Sequence, residues 1–107
     1  MHARREIESL EMHRRIAGRL RSEPEKVLGK ARENIRRWLV GREGTAAEAV
    51  YREWLAILDT NGVEQLAEFL VSPSEKAARL RQSSPFAGVL DAREVWEIKR
   101  NHAPARA

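Results

Sequence analysis

Apolar residues along this chain recur at intervals of three and four, the spacing that places side chains on one face of an α-helix. Between Ala3 and Leu20, the positions Ile7, Leu10, His13, Ile16, Ala17 and Leu20 share such a face. From about Pro24 to Val40 the stripe is Val27, Leu28, Ala31, Ile35, Trp38 and Leu39, with Lys26, Lys30, Arg36 and Arg37 largely off it. A third helix is predicted from Thr45 to about Leu58. Its face of Val50, Trp54, Ile57 and Leu58 is widened by Ala47, Tyr51 and Leu55, which predicts several neighbours and a central place. Shorter helices follow: Val63 to Leu70 through Leu66, Ala67 and Leu70, then Ser72-Pro73 to about Arg81, then a last one from Asp91 carrying Val95, Trp96 and Ile98. Period-two alternation is absent and β-branched residues are sparse, so no strand is predicted. The expected fold is all-α: a compact bundle of about five to six helices, two longer N-terminal ones followed by shorter ones. It forms a single domain over residues 1–101, with residues 102–107 as a disordered tail.

Helix boundaries are marked as well as helix faces. A capping box places Ser, Thr or Asp at the N-cap and Glu three residues on, so that two otherwise unpaired N–H groups find acceptors. The pattern occurs at Ser22/Glu25, Thr45/Glu48, Ser72/Glu75 and Asp91/Glu94. Pro24 and Pro73 sit just inside two of these starts, where a missing N–H costs nothing. Gly41 and Gly44 close the second helix, and Asp59-Thr60-Asn61-Gly62 is a turn cluster.

One stretch departs from the helical pattern. Leu80 to Leu90, LRQSSPFAGVL, places two serines, a proline, a phenylalanine and a glycine on a short connector. It admits two readings. In one, Phe86 plugs the end of the core and Pro85 stiffens its entry. In the other, Arg81, Gln82, Ser83, Ser84, Pro85 and Phe86 form an exposed recognition element, since aromatic and Arg anchors beside adaptable hydroxyls are enriched at protein interfaces. Arg79 would then pair with acids of a partner. Trp96 sits about 100° around its helix from Val95 and is predicted to be half covered, a second anchor. Trp38 and Trp54 fit their stripes and are expected in the core.

The charged fraction is 34% and the net charge +4, but the distribution says more. Residues 1–43 hold 12 Lys/Arg against 7 Glu, residues 44–75 one Arg against 6 acids, and residues 76–107 seven cations against 3 acids. This basic, acidic, basic order suits helices that attract one another or a partner of mixed charge as well as it suits nucleic acid. The nucleic-acid alternative would use Arg14, Arg15, Arg36 and Arg37 on the first two helices. Against it, acids are interspersed and no recognition helix follows a tight turn. A homodimer closed by the apolar stripes is a third possibility.

Chemistry-bearing constellations are lacking. There is no cysteine, which excludes a disulfide framework, thiolate catalysis and Cys-ligated zinc. His2, His13 and His102 have no metal-ligand spacing, and His13 falls on an apolar face, as a packed structural histidine does. Ser83 and Ser84 lack the G-x-S-x-G of a nucleophile elbow. Gly41-x-x-Gly44 lacks the Lys-Ser/Thr of a phosphate loop. No cofactor, metal site or catalytic residue is predicted, and an enzyme is the least favoured class. No window nears the roughly 18 uninterrupted apolar residues of a membrane span. MHARREIESLEMHRR has no apolar core of a secretory signal, so a cytoplasmic location is expected.

Three segments together resemble a group of small bacterial proteins on the antitoxin side of toxin–antitoxin pairs: His13-Arg14-Arg15-Ile16-Ala17, Ala31-Arg32-Glu33-Asn34-Ile35-Arg36-Arg37-Trp38, and Leu80 to Leu90. The resemblance covers most of the chain. It implies a helical protein that binds and neutralises a cognate toxin enzyme encoded beside it. Such proteins often also bind their own promoter, a role for which this chain has no evident DNA-binding module.

Overall fold

In the computed structural model, which describes residues 3–102, the chain is all-helical. The helices are α1 (Ala3–Ser22), α2 (Pro24–Leu39), α3 (Ala46–Thr60), α4 (Val63–Leu70), α5 (Glu75–Arg81) and α6 (Ala92–Asn101). The two longest come first, as the apolar periods predicted. Residues 103–107 of the expected tail, and His2, lie outside the described residues. His102 follows α6 as its C-cap, its N–H donating to the Ile98 carbonyl at 3.3 Å. No helix among the described residues is long and apolar enough to cross a membrane.

The four helix starts resolve into different solutions. Asp91 and Glu94 form the full reciprocal box: Asp91 Oδ1 accepts from Glu94 N at 2.8 Å, and Glu94 Oε1 from Asp91 N at 3.4 Å. Thr45 caps α3 by accepting from Glu48 N at 3.2 Å, but Glu48 reaches past it to Gly44 N. Ser22/Glu25 does not form a cap. Ser22 stays in the last turn of α1 and donates its hydroxyl to the Arg19 carbonyl, so a single residue, Glu23, joins α1 to α2. The start expected at Ser72 slips by two: Ser74 caps α5 through Ala77 N, while Ser72 Oγ accepts from Ser74 N and Pro73 stands outside the helix. Gly41 and Gly44 adopt φ of 77° and 78°, the left-handed conformation that favours glycine in such a turn.

The hub of the bundle is α1, which packs against α2, α4, α5 and α6; α3 lies mainly along α2. This corrects the central place predicted for α3. Its wide apolar face has another cause, the reach of its aromatic side chains. Trp54 is fully buried and meets Phe69 of α4 edge-on at 6.1 Å and Phe86 at 5.7 Å, while Tyr51 lies against Trp38 of α2 at 5.5 Å. Ile7, predicted on the buried face of α1, is 50% exposed, because the first turns of α1 extend beyond the packed part of the bundle. Among the described residues, His13 and Asn34 are the polar side chains buried beside the apolar core.

Candidate functional site

The connector from Gln82 to Asp91 is tied down by side chains from most of the bundle. The end of α5 that leads into it is held first: Trp54 Nε1 donates to the Leu80 carbonyl at 3.1 Å. Arg81 Nη1 donates to the carbonyls of Leu70 and Ser72, at 3.2 and 2.7 Å, closing the open C-terminal end of α4. In the middle, Asn34 Nδ2 donates to both Pro85 O, at 3.0 Å, and Ala87 O, at 2.8 Å. Arg37 donates to Asn34 Oδ1 at 2.9 Å, which fixes the amide in that orientation. Near its end, Arg19 Nη1 donates to Val89 O at 3.3 Å while its Nη2 holds both Glu94 carboxylate oxygens at 2.8 Å. The turn needs Gly88, whose φ of 85° is strained for any side chain.

His13 adds the remaining tie. Its Nδ1 lies 2.7 Å from Ser9 O, which can only accept, so the proton is on Nδ1. Nε2 is then the acceptor, and the Ser84 hydroxyl donates to it at 2.9 Å. Ser84 Oγ in turn accepts from Phe86 N at 3.3 Å. Burial pushes the His13 pKa down to about 4; the Ser9 carbonyl opposes this and the nearby Arg81 charge adds to it. His13 is therefore neutral at pH 7.

These ties frame a half-open cleft of about 710 Å³ between the N-terminal half of α1, the end of α5, the connector and α6. Met12, Ile16, Phe86, Leu90 and Val95 supply its apolar floor, and Arg5, Glu6, Gln82 and Lys99 stand around it. Burial holds the Arg81 pKa below its ordinary value, with Glu6 opposing.

The residues singled out in the sequence divide accordingly. Arg81, Gln82, Ser84 and Phe86 meet at the cleft. Phe86 is 2% exposed, and of its two readings it takes the core one, its ring edge-on to Trp54 and His13. As a free-standing exposed anchor it is corrected: the ring belongs to the core and backs the floor of the cleft. Pro85 is likewise buried, and Ser83 is partly covered. Arg79 is engaged within the chain, bidentate to Glu53 of α3 at 3.1 and 2.9 Å. Trp96 is 59% exposed on α6, with the Arg100 guanidinium 5.2 Å from its ring centre. Of the basic set, Arg14 pairs with Glu11 at 3.3 Å and Arg15 with Glu97 at 3.7 Å, while Arg37 serves Asn34. Arg36 is exposed and has no ion pair among the described residues.

For two residues that matter here, Asn34 and Arg19, the sequence showed no role of their own. Asn34 did carry a signal, an amide three residues after Ala31 and next to Ile35, inside an apolar stripe. Arg19 carried none, since its partners are some 70 residues away.

Chemically, Ser84 and His13 have the spacing of a nucleophile and its base. However, so acidic an imidazolium marks a weak base at neutral pH. The Phe86 N–H points at Ser84 Oγ itself and not at a place where an oxyanion would form. The pair acts as a tether. No group of three or more His, Asp or Glu among the described residues is placed to hold a metal ion. No family model, curated protein or solved structure matches the chain.

Proposed function

We propose that this chain is a non-enzymatic interaction protein of the bacterial cytoplasm that neutralises a cognate toxin enzyme by covering it, the role its resemblance implies. The observation that carries this reading is the immobilised connector beside a half-open, apolar-floored cleft. A surface already held in one conformation loses little freedom when a partner docks, so more of the contact energy appears as affinity. The contact set is Arg81, Gln82 and Ser84, with Pro85 and Phe86 supporting them from within. Trp96 and Arg79 lie outside the cleft lining and would extend the contact only for a partner large enough to reach them. The nucleic-acid alternative draws less support, because two of its four arginines already have carboxylate partners.

The test is affinity capture from the native host with the full chain, comparing wild type with Ala87→Trp. Ala87 is exposed at the cleft, and an indole there occludes it. One stoichiometric protein, lost with Ala87→Trp, is the expected result. That protein produced alone should arrest growth, and co-production of the wild-type chain should restore it. Nucleic acid without a stoichiometric protein would contradict the reading, as would a captured protein indifferent to Ala87→Trp.

A further inference from the structure

Most arginines among the described residues face a carboxylate. Arg19 pairs with Glu94, Arg21 with Glu64, Arg32 with Asp59 and Arg79 with Glu53. The cleft is different. Arg5 and Lys99 have no ion pair among the described residues, and Arg81 rests on neutral carbonyl oxygens through Nη1 alone. The lining holds two acids against three cations: Glu6, and Glu8, whose Oε2 lies 3.7 Å from Arg4 outside the lining and has no hydrogen-bond partner. A second groove, on the other side of Gly88, shows what balance looks like: Arg19, Lys26 and Lys30 against Glu23, Glu25 and Glu33. Charge complementarity therefore singles out the cleft.

From this arrangement we infer that the cleft takes an acidic, apolar segment of a protein partner, its carboxylates among Arg5, Arg81 and Lys99 and its apolar side chains against Met12 and Val95, the half-buried part of a floor backed by the core residues Ile16, Phe86 and Leu90. This rests on the reading of the chain as an interaction protein and adds the chemistry of what is bound. Two features support it. A guanidinium partly withdrawn from water gains more from an anion than an exposed one does. The edge of Arg81 that carries Nη2 and Nε, which makes no hydrogen bond among the described residues, is suited to the two oxygens of a carboxylate. Glu6 stands where it competes with the incoming acid, so it sets how strongly the cleft discriminates.

The experiment uses a short synthetic peptide of alternating Glu and Leu, with a Gln-for-Glu analogue and a Lys-for-Glu analogue as controls. Binding is followed by NMR titration of the full chain. The Glu-Leu peptide should shift amide signals around the cleft, and the two analogues should not. Lys99→Glu should weaken binding and Glu6→Gln strengthen it, each about threefold, the size expected of a partly screened charge pair. Both positions are chosen because neither holds the fold; Arg81 does, so it is left intact. No shifts at about 1 mM peptide, or equal shifts with the Gln analogue, would overturn the inference. So would binding unmoved by both variants. If a native partner is captured and lost with Ala87→Trp, yet ignores Lys99→Glu and Glu6→Gln, the acidic-segment inference fails while the interaction reading stands. If the peptide binds as expected but no partner protein is captured, the cleft's selectivity for acidic, apolar segments stands while the toxin-neutralising reading fails.

Discussion

Acidification should loosen this fold through one side chain, His13. Its imidazole is buried at 3% exposure, donates to Ser9 O, and accepts from Ser84 at Nε2, where an added proton has no acceptor unless the hydroxyl turns round. Burial lowers its pKa from 6.5 to about 4. The unfolded chain therefore binds a proton that the folded chain refuses between those values. Stability from this group is complete above pH 6.5, declines as pH falls, and stops declining below about 4, where both states are protonated. At 1.36 kcal/mol per pH unit the full loss is about 3 kcal/mol, and the fall from pH 6.5 to 5 accounts for about 2 kcal/mol of it. The window above pH 5 matters because Glu48, Glu53 and Glu64, held below the ordinary carboxylate range by their hydrogen bonds, lose their contributions only at lower pH. The assay is urea denaturation followed by the helical circular-dichroism signal at several pH values, for wild type and His13→Gln. The other two histidines are present in both chains and cancel. The variant should be less stable at pH 7 and nearly flat from 6.5 to 5, whereas the wild type should fall. Parallel pH profiles would refute the reasoning.

Other outcomes follow from the same geometry. Phe86→Ala should cost about 3–5 kcal/mol in urea denaturation, as removal of a buried ring facing Trp54 does, and a variant of unchanged stability would contradict its core placement. Asn34→Ala strips two buried carbonyls, Pro85 O and Ala87 O, of their donor and should cost about 2–3 kcal/mol; it should also speed hydrogen exchange in residues 82–91 more than in α3. Gly88→Ala should cost about 1–2 kcal/mol through its positive φ, and trimming Lys30 to Ala in the same chain should not recover it, because the Lys30 tip 2.9 Å from the added carbon can move aside.

The helical faces were legible because they are local. A period of 3.6 needs only neighbouring residues, and it located Val63–Leu70 to the residue and the other helices to within a few. Caps were less legible, since a Ser three residues before a Glu competes with whatever the chain does next. Ser22 lost that competition to the one-residue join at Glu23, and Ser72 lost it to Ser74. The hub was misplaced for a related reason: a stripe records how much of a helix is covered, not whether a neighbouring helix or a long indole covers it. At the candidate site, the sequence marked the connector as unusual and offered both fates for Phe86. It did not reveal the ties of Arg19, Asn34 and His13, which join residues some 50 to 70 positions apart. Nor did it separate Arg81, which lines the cleft, from Arg79, which faces Glu53; only the fold decides which of two arginines two residues apart finds an acid within the chain.

The most direct test of the central claim, that the cleft is where this chain engages a partner protein, is growth rescue by wild type and by Ala87→Trp, with the captured protein produced in the same cells. Chain abundance and circular dichroism of each variant are measured alongside to show that the fold is kept. The account predicts that wild type restores growth and that Ala87→Trp, folded and equally abundant, does not. Full rescue by Ala87→Trp would place the contact elsewhere on the molecule and contradict it.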